Sequence, residues 1–130
     1  MTANKEMVKV DRDKSWDKAL ENESWVAPLV DIYETDDEYY LVGYMPGVKK
    51  EDVKIKFEDG SLVIMGRINY EDEINKNYIL KETETGNYYR KFRIGDAVEA
   101  SKIEAHLENG KLLVHLPKVE RVKPKTIKIK

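Results

Sequence analysis

Two dipeptides, Asp59-Gly60 and Asn109-Gly110, limit what this 130-residue chain can fold into more than any other feature. Each stands between two runs in which apolar and polar residues alternate, and there it supplies the two positive φ angles of a two-residue hairpin turn. A turn of that kind fixes the register, so Glu58 faces Ser61 and Glu108 faces Lys111. Counting outward from the first turn, Val53, Ile55, Phe57, Leu62 and Ile64 share one face; Lys54, Lys56, Glu58, Ser61, Val63 and Met65 share the other. From the second turn, Ile103, Ala105, Leu107, Leu112, Val114 and Leu116 face inward, and Glu104, His106, Glu108, Lys111, Leu113 and His115 face outward. A slip of one residue would turn either apolar set into water, so burial and turn chemistry specify the same pairing.

The same period-two pattern, with polar turns between short runs, extends from Leu29 to Leu116 and predicts an all-β domain. Leu29 to Tyr33 and Tyr39 to Met45 read as a strand pair around Glu34-Thr35-Asp36-Asp37, and Tyr88 to Ile94 as a further strand. Between Arg67 and Asn87 lie about twenty residues, far more than a hairpin loop uses. They contain Tyr78-Ile79-Leu80, a β-like stretch with no local partner, which makes it a candidate for pairing with another subunit.

The flanks differ from this core. Residues 1 to 27 are polar apart from Met7, Val8, Val10, Trp16, Ala19, Leu20, Trp25 and Val26, and form an arm expected to be partly helical or disordered. Ser15 is expected to cap a short helix with Trp16, Ala19 and Leu20 on one face. Pro28 opens the folded part, residues 28 to 117. Residues 118 to 130, KVERVKPKTIKIK, are a basic extension ending in Ile127-Lys128-Ile129. Alternate isoleucines in an extended segment fit two readings, a last edge strand of the same domain or a segment that docks on another surface.

Composition removes whole classes of function. With 23 basic and 25 acidic residues the net charge is −2, so no nucleic-acid or anionic-membrane partner is expected. There is no cysteine, which excludes thiol catalysis, thiolate metal sites and disulfides. No leader-like h-region opens the chain and no run of about 18 apolar residues interrupts it, so a cytoplasmic location is expected. The phosphate-cradling G-x-x-x-x-G-K-[ST] pattern is missing, and with it any expectation of ATP hydrolysis or a cofactor. Ser24, Ser61 and Ser101 lack a nucleophile elbow, so no catalytic residue is assigned. His106 and His115, with Glu104 opposite His115, could in principle hold zinc, but solvated side chains are the expected state and no metal site is assigned. The eight tyrosines read as half-buried strand residues rather than base-stacking platforms. Val63, Met65 and Leu113 are apolar on outer faces; contact surface and scattered surface hydrophobes both fit them.

Five fragments, in order over roughly 100 residues, resemble the small heat-shock protein (α-crystallin) family of bacterial or archaeal type. Pro28-Leu29-Val30-Asp31-Ile32-Tyr33-Glu34 looks like its opening strand. Met45-Pro46-Gly47-Val48-Lys49-Lys50-Glu51-Asp52-Val53 looks like its Leu-Pro-Gly-Val turn, with Met45 in the leucine position. Tyr89-Arg90-Lys91-Phe92-Arg93-Ile94 is similar to its arginine-bearing strand. Ala105-His106-Leu107-Glu108-Asn109-Gly110-Lys111-Leu112 fits its A-x-x-x-N-G-x-L signature, and Pro124-Lys125-Thr126-Ile127-Lys128-Ile129 its C-terminal I-x-I anchor. Gly95 stands where the family usually has proline, and the arm is short.

The resemblance implies an immunoglobulin-like antiparallel β-sandwich and an ATP-independent holdase for partly unfolded proteins, with no cofactor. It implies a homodimer in which Tyr78, Ile79 and Leu80 cross to the edge holding Val30 and Ile32, with Arg90 at the interface, and larger homo-oligomers built from such dimers. A groove between Val53, Ile55, Phe57 and Ile103, Ala105, Leu107 would receive Ile127 and Ile129 of another dimer, and Trp16, Leu20 and Trp25 of the arm would contact clients. Two alternatives are a monomeric co-chaperone or adaptor with the related CS-domain sandwich, indifferent to Ile127 and Ile129, and a carbohydrate- or small-ligand-binding sandwich, for which the pattern offers no concave aromatic platform.

Overall fold

Both turn dipeptides lie in the left-handed region of backbone space, Asp59 and Gly60 at φ 52° and 75°, Asn109 and Gly110 at φ 50° and 76°. The chain is described by a computed structural model covering residues 14–84 and 86–130. Met7, Val8 and Val10 lie outside the described residues. The elements are α1 (Lys14–Asn22), β1 (Trp25–Val26), β2 (Val30–Glu34), β3 (Glu38–Tyr44), β4 (Val48–Glu58) and β5 (Ser61–Ile68), then α2 (Tyr70–Ile74), β6 (Asn87–Arg93), β7 (Glu104–Glu108) and β8 (Lys111–Pro117). Glu58 pairs with Ser61 and Glu108 with Lys111, and the registers run outward as the turns dictate. Toward the far end of β4 a bulge between Val48 and Val53 interrupts the ladder.

Two four-stranded sheets form, ordered β1-β6-β5-β4 and β2-β3-β8-β7. Their facing sides bury Leu41, Met45, Val48, Val53, Leu62, Ile64, Val98, Leu112, Val114 and Leu116 in one core. The chain passes from the second sheet to the first at Met45-Pro46-Gly47, and the Asn109-Gly110 turn holds this crossing: the Met45 N–H donates to the Gly110 carbonyl at 2.7 Å. A Cβ at Gly110 would stand 3.0 Å from Pro46 Cα. Glycine is therefore required there by the positive φ and by close backbone approach together.

Three expectations need correction. The sandwich is not wholly antiparallel, because β1 pairs with β6 in parallel, Trp25 opposite Asn87; this places Trp25 and Val26 in a sheet, ahead of the expected entry at Pro28. Ser15 lies within the described helix α1, Lys14–Asn22, and is therefore not its cap. The excursion after β5 holds the helix α2, for which Asn69 is the cap: its side chain accepts from the Asp72 N–H at 3.1 Å, and Glu71, Asp72 and Glu73 suit the positive end of the helix. Tyr78-Ile79-Leu80 forms no strand within the chain.

Two substitutions separate these contributions. Ile64→Ala empties a fully buried position and is expected to lower unfolding free energy by about 2–5 kcal/mol. Gly110→Ala removes no apolar contact yet is expected to lose about 1–3 kcal/mol through the left-handed φ. Urea denaturation followed by circular dichroism measures both; a neutral Gly110→Ala would show that the turn does not fix the crossing.

Candidate functional site

Exposed large hydrophobic side chains are not scattered over the molecule. Most of them belong to three places: Leu29, Ile32 and Tyr33 along β2; Ile74, Tyr78, Ile79 and Leu80 in the excursion; and Ile127 and Ile129 in the extension. Each place also lacks part of its backbone pairing. Among the described residues β2 is bonded only to β3, residues 78–80 and 123–130 belong to no strand, and an unpaired edge beside apolar side chains is a template for another chain.

The edge at β2 is built by its alternation. Val30 and Ile32 pair with Gly43 and Leu41 on the core side, but with no strand beyond them Ile32 stays substantially exposed while Val30 packs on the core margin. Arg90 of β6 donates to the Pro28 carbonyl at 3.1 Å, its guanidinium 4.8 Å from the Phe92 ring. It thus fastens the segment that leads into β2. In the excursion, Glu73 accepts from the Tyr78 hydroxyl and from Lys76 Nζ at 3.0 Å. These bonds, that from Tyr78 foremost, hold the Glu73 carboxyl below its ordinary pKa. They also fold the loop back on α2 while leaving Ile79 and Leu80 in solvent.

At the opposite edges, β4 and β7 end their respective sheets. Ile55 and Phe57 of β4, Ala105 and Leu107 of β7 and Ile103 just before it are only half-buried, packed against the core from the margin; Val53 is buried. Apolar side chains that face inward from terminal strands and stay half-buried leave apolar surface open at both margins. Ile127 and Ile129 are 84% and 92% exposed, and the segment past Val122 has no strand. Of the two readings of the tail, a last strand of its own domain is not what forms.

The arm residues are placed differently. Trp16 is buried at 6% exposure, against the outer side of the first sheet, and Trp25 lies edge-on to Tyr89 with ring centroids 6.4 Å apart. Leu20 remains partly exposed. Met65 is buried in spite of its outer-face position, while Leu113 stays at the surface. Sequence reasoning missed the node behind this docking, Glu23, Arg67 and Asn87. Arg67 donates to Glu23 at 2.9 Å and Asn87 donates to the same carboxylate at 2.6 Å. Separations of 44 and 64 residues leave no local signal for it.

For chemistry the surface offers little. Glu104 stands opposite His115 as the register requires, but His115 Nδ1 lies 3.3 Å from Glu38 and its ring meets Tyr40 edge-on at 4.4 Å. Among the described residues no three His, Cys, Asp or Glu side chains gather as metal ligands, and no helix is long and apolar enough to cross a membrane.

Residues 31–130 match the model of the Hsp20/alpha crystallin family. The chain is 38% identical over 104 residues to a probable 15 kDa heat shock protein of Leptospira interrogans, covering 80% of this chain and 77% of that protein. It is 41% identical over 96 residues to a probable Hsp20 family chaperone of Onion yellows phytoplasma, covering 73% and 69%. Among solved structures, heat shock protein 16.0 from Schizosaccharomyces pombe superposes with a TM-score of 0.66 at 36% identity, over 81% of this chain and 99% of that one. A small heat-shock protein from Xylella fastidiosa gives 0.65 at 26%, over 82% and 99%. Two facing four-stranded sheets, the hairpin signature and these likenesses agree: the chain belongs to the Hsp20/alpha crystallin family, the small heat-shock chaperones built on an α-crystallin domain.

Proposed function

We propose that this chaperone is an ATP-independent holdase of the cytoplasm that assembles from homodimers into larger homo-oligomers and keeps partly unfolded proteins from aggregating. The observation that carries the reading is the concentration of exposed apolar side chains on an open edge, an unpaired excursion and an unpaired tail. In the dimer, Tyr78-Ile79-Leu80 of each chain pairs with β2 of the other, covering Val30 and Ile32 and satisfying backbone groups that the lone edge leaves open. Arg90 steadies that edge from its own chain.

Ile127 and Ile129 of one dimer seat between β4 and β7 of another, against Ile55, Phe57, Ile103, Ala105 and Leu107, above Val53. Burying two isoleucines contributes on the order of 3–6 kcal/mol. Ordering the tail opposes much of it, which leaves a reversible link. A client needs apolar surface and nothing else, because the hydrophobic effect is non-directional. When the assembly loosens, that surface is the β4–β7 seat and the arm with Trp16, Leu20 and Trp25.

Purified protein is expected to elute as dimers or larger on size exclusion with light scattering, and to suppress aggregation of a heated client with no nucleotide present. A monomer without suppression would favour the adaptor reading instead. Ile127→Ala with Ile129→Ala is expected to shift large assemblies toward dimers without lowering the thermal stability of the sandwich; an unchanged mass would show that the tail is not the link.

A further inference from the structure

The outer face of the first sheet carries two rows set by the register: Lys54, Met65 and Tyr89 across β4, β5 and β6, then Lys56, Val63 and Lys91. Its centre is an apolar strip, Val63-Met65-Tyr89, bordered by cations. Helix α1 lies along it. Lys54 Nζ and Arg67 Cζ stand 6.0 and 5.5 Å from the Trp16 ring, and Leu20 lines one hollow with Lys56, Val63, Met65, Tyr89 and Lys91. The Trp25 indole N–H donates to the Ala19 carbonyl at 2.7 Å. The hollow is also lined by Glu58 and Asp59 and the helix carries Lys18 beside Asp17 and Glu21, so the charge match rests on the pair that Glu23, at the helix end, makes with Arg67 and on the cations beside Trp16.

Glu23 fastens this arrangement. Its carboxylate takes hydrogen bonds from Arg67, next to last in β5, and from Asn87, the first residue of β6. Asn87 is 0% exposed, and its Oδ1 in turn accepts from the Ile68 N–H at 2.9 Å. The Glu23 and Arg67 side chains keep 27% and 29% of their surface in water. An ion pair of that exposure shifts an open–closed equilibrium by about two- to fivefold, so the helix is held but not locked.

We propose that α1 is an intramolecular lid, and that the Val63-Met65-Tyr89 strip beneath it binds segments of non-native proteins with the lid's own chemistry: amphipathic, acidic, with an aromatic anchor. The lid and a client segment compete for one surface, and Glu23 sets how much of it is open. Opening also frees Trp16. This deepens the holdase reading and rests on it for the identity of the ligand.

Glu23→Gln removes the charge but keeps an amide oxygen for Asn87, so the buried amide retains its partner; Arg67→Met removes the other charge and keeps the apolar stem. In both full-length variants, once circular dichroism shows the native sheet signal, acrylamide quenching of the two indoles is expected to rise, the open fraction it reports growing about two- to fivefold. A synthetic peptide of residues 14–26 is expected to bind both variants more tightly than the parent by a similar factor, and client aggregation to be suppressed at correspondingly less chaperone. Unchanged quenching in both folded variants would overturn the lid. Increased quenching without tighter peptide binding would overturn the strip as a binding surface. If peptide binding follows the lid while no form, parent included, suppresses aggregation, the lid and its helix-binding surface stand and the holdase reading falls.

Discussion

The Asn109-Gly110 turn is the constraint on which the other parts of the sandwich depend. Two consecutive positive φ angles set Leu107 opposite Leu112, which sends Leu112, Val114 and Leu116 into the core and aims Ile103, Ala105 and Leu107 at the open margin. The Gly110 carbonyl also receives the Met45 N–H, and the bare Cα of Gly110 lets Pro46 come close. One turn therefore determines a hairpin, the apolar margin beside it and the place where the chain changes sheets. Larger side chains would be excluded here by backbone geometry before packing was considered.

A sandwich assembled in this way closes its core but not its margins. β2, β4 and β7 are terminal strands, and their inward apolar residues have a sheet on one side only. Soluble proteins ordinarily blunt such edges with charge, proline or bulges. β4 carries a bulge near Val48, and its outward side chains past the bulge, Lys54, Lys56 and Glu58, are charged. β2 instead presents Leu29, Ile32 and Tyr33 with little protection. The excursion and the tail are unpaired at the same time. Open edges and unpaired apolar segments thus stand together in one chain, the combination that the proposed assembly would use.

Much of this was legible in the residues, and the reason differs by element. The β4–β5 and β7–β8 registers could be read to the residue because Asp-Gly and Asn-Gly turns convert local chemistry into pairing. The isolation of Tyr78-Ile79-Leu80 was legible because nothing near it in the chain is complementary, whereas the alternation of Ile127 and Ile129 fitted a last edge strand equally well. The parallel β1 was not, since two residues carry no period. Nor was α2, although Asn69 with Glu71, Asp72 and Glu73 is a helix-start pattern, because five residues carry too little helical period. The burial of Met65 and Trp16 depends on α1 meeting a sheet face formed some 40 residues later, and an outer-face position among lysines gave no hint of it. Glu23, Arg67 and Asn87 meet only in three dimensions.

The central claim is that β2, residues 78–80 and the terminal isoleucines are covered by other copies of the chain. Hydrogen–deuterium exchange on the native assembly tests it most directly, because a backbone amide without a partner in the single chain exchanges rapidly unless another chain supplies one. Slow exchange at Tyr78-Ile79-Leu80 and at Ile127-Lys128-Ile129, lost on dilution to monomer, is the expected result. Rapid exchange at both segments in the assembled protein would contradict it.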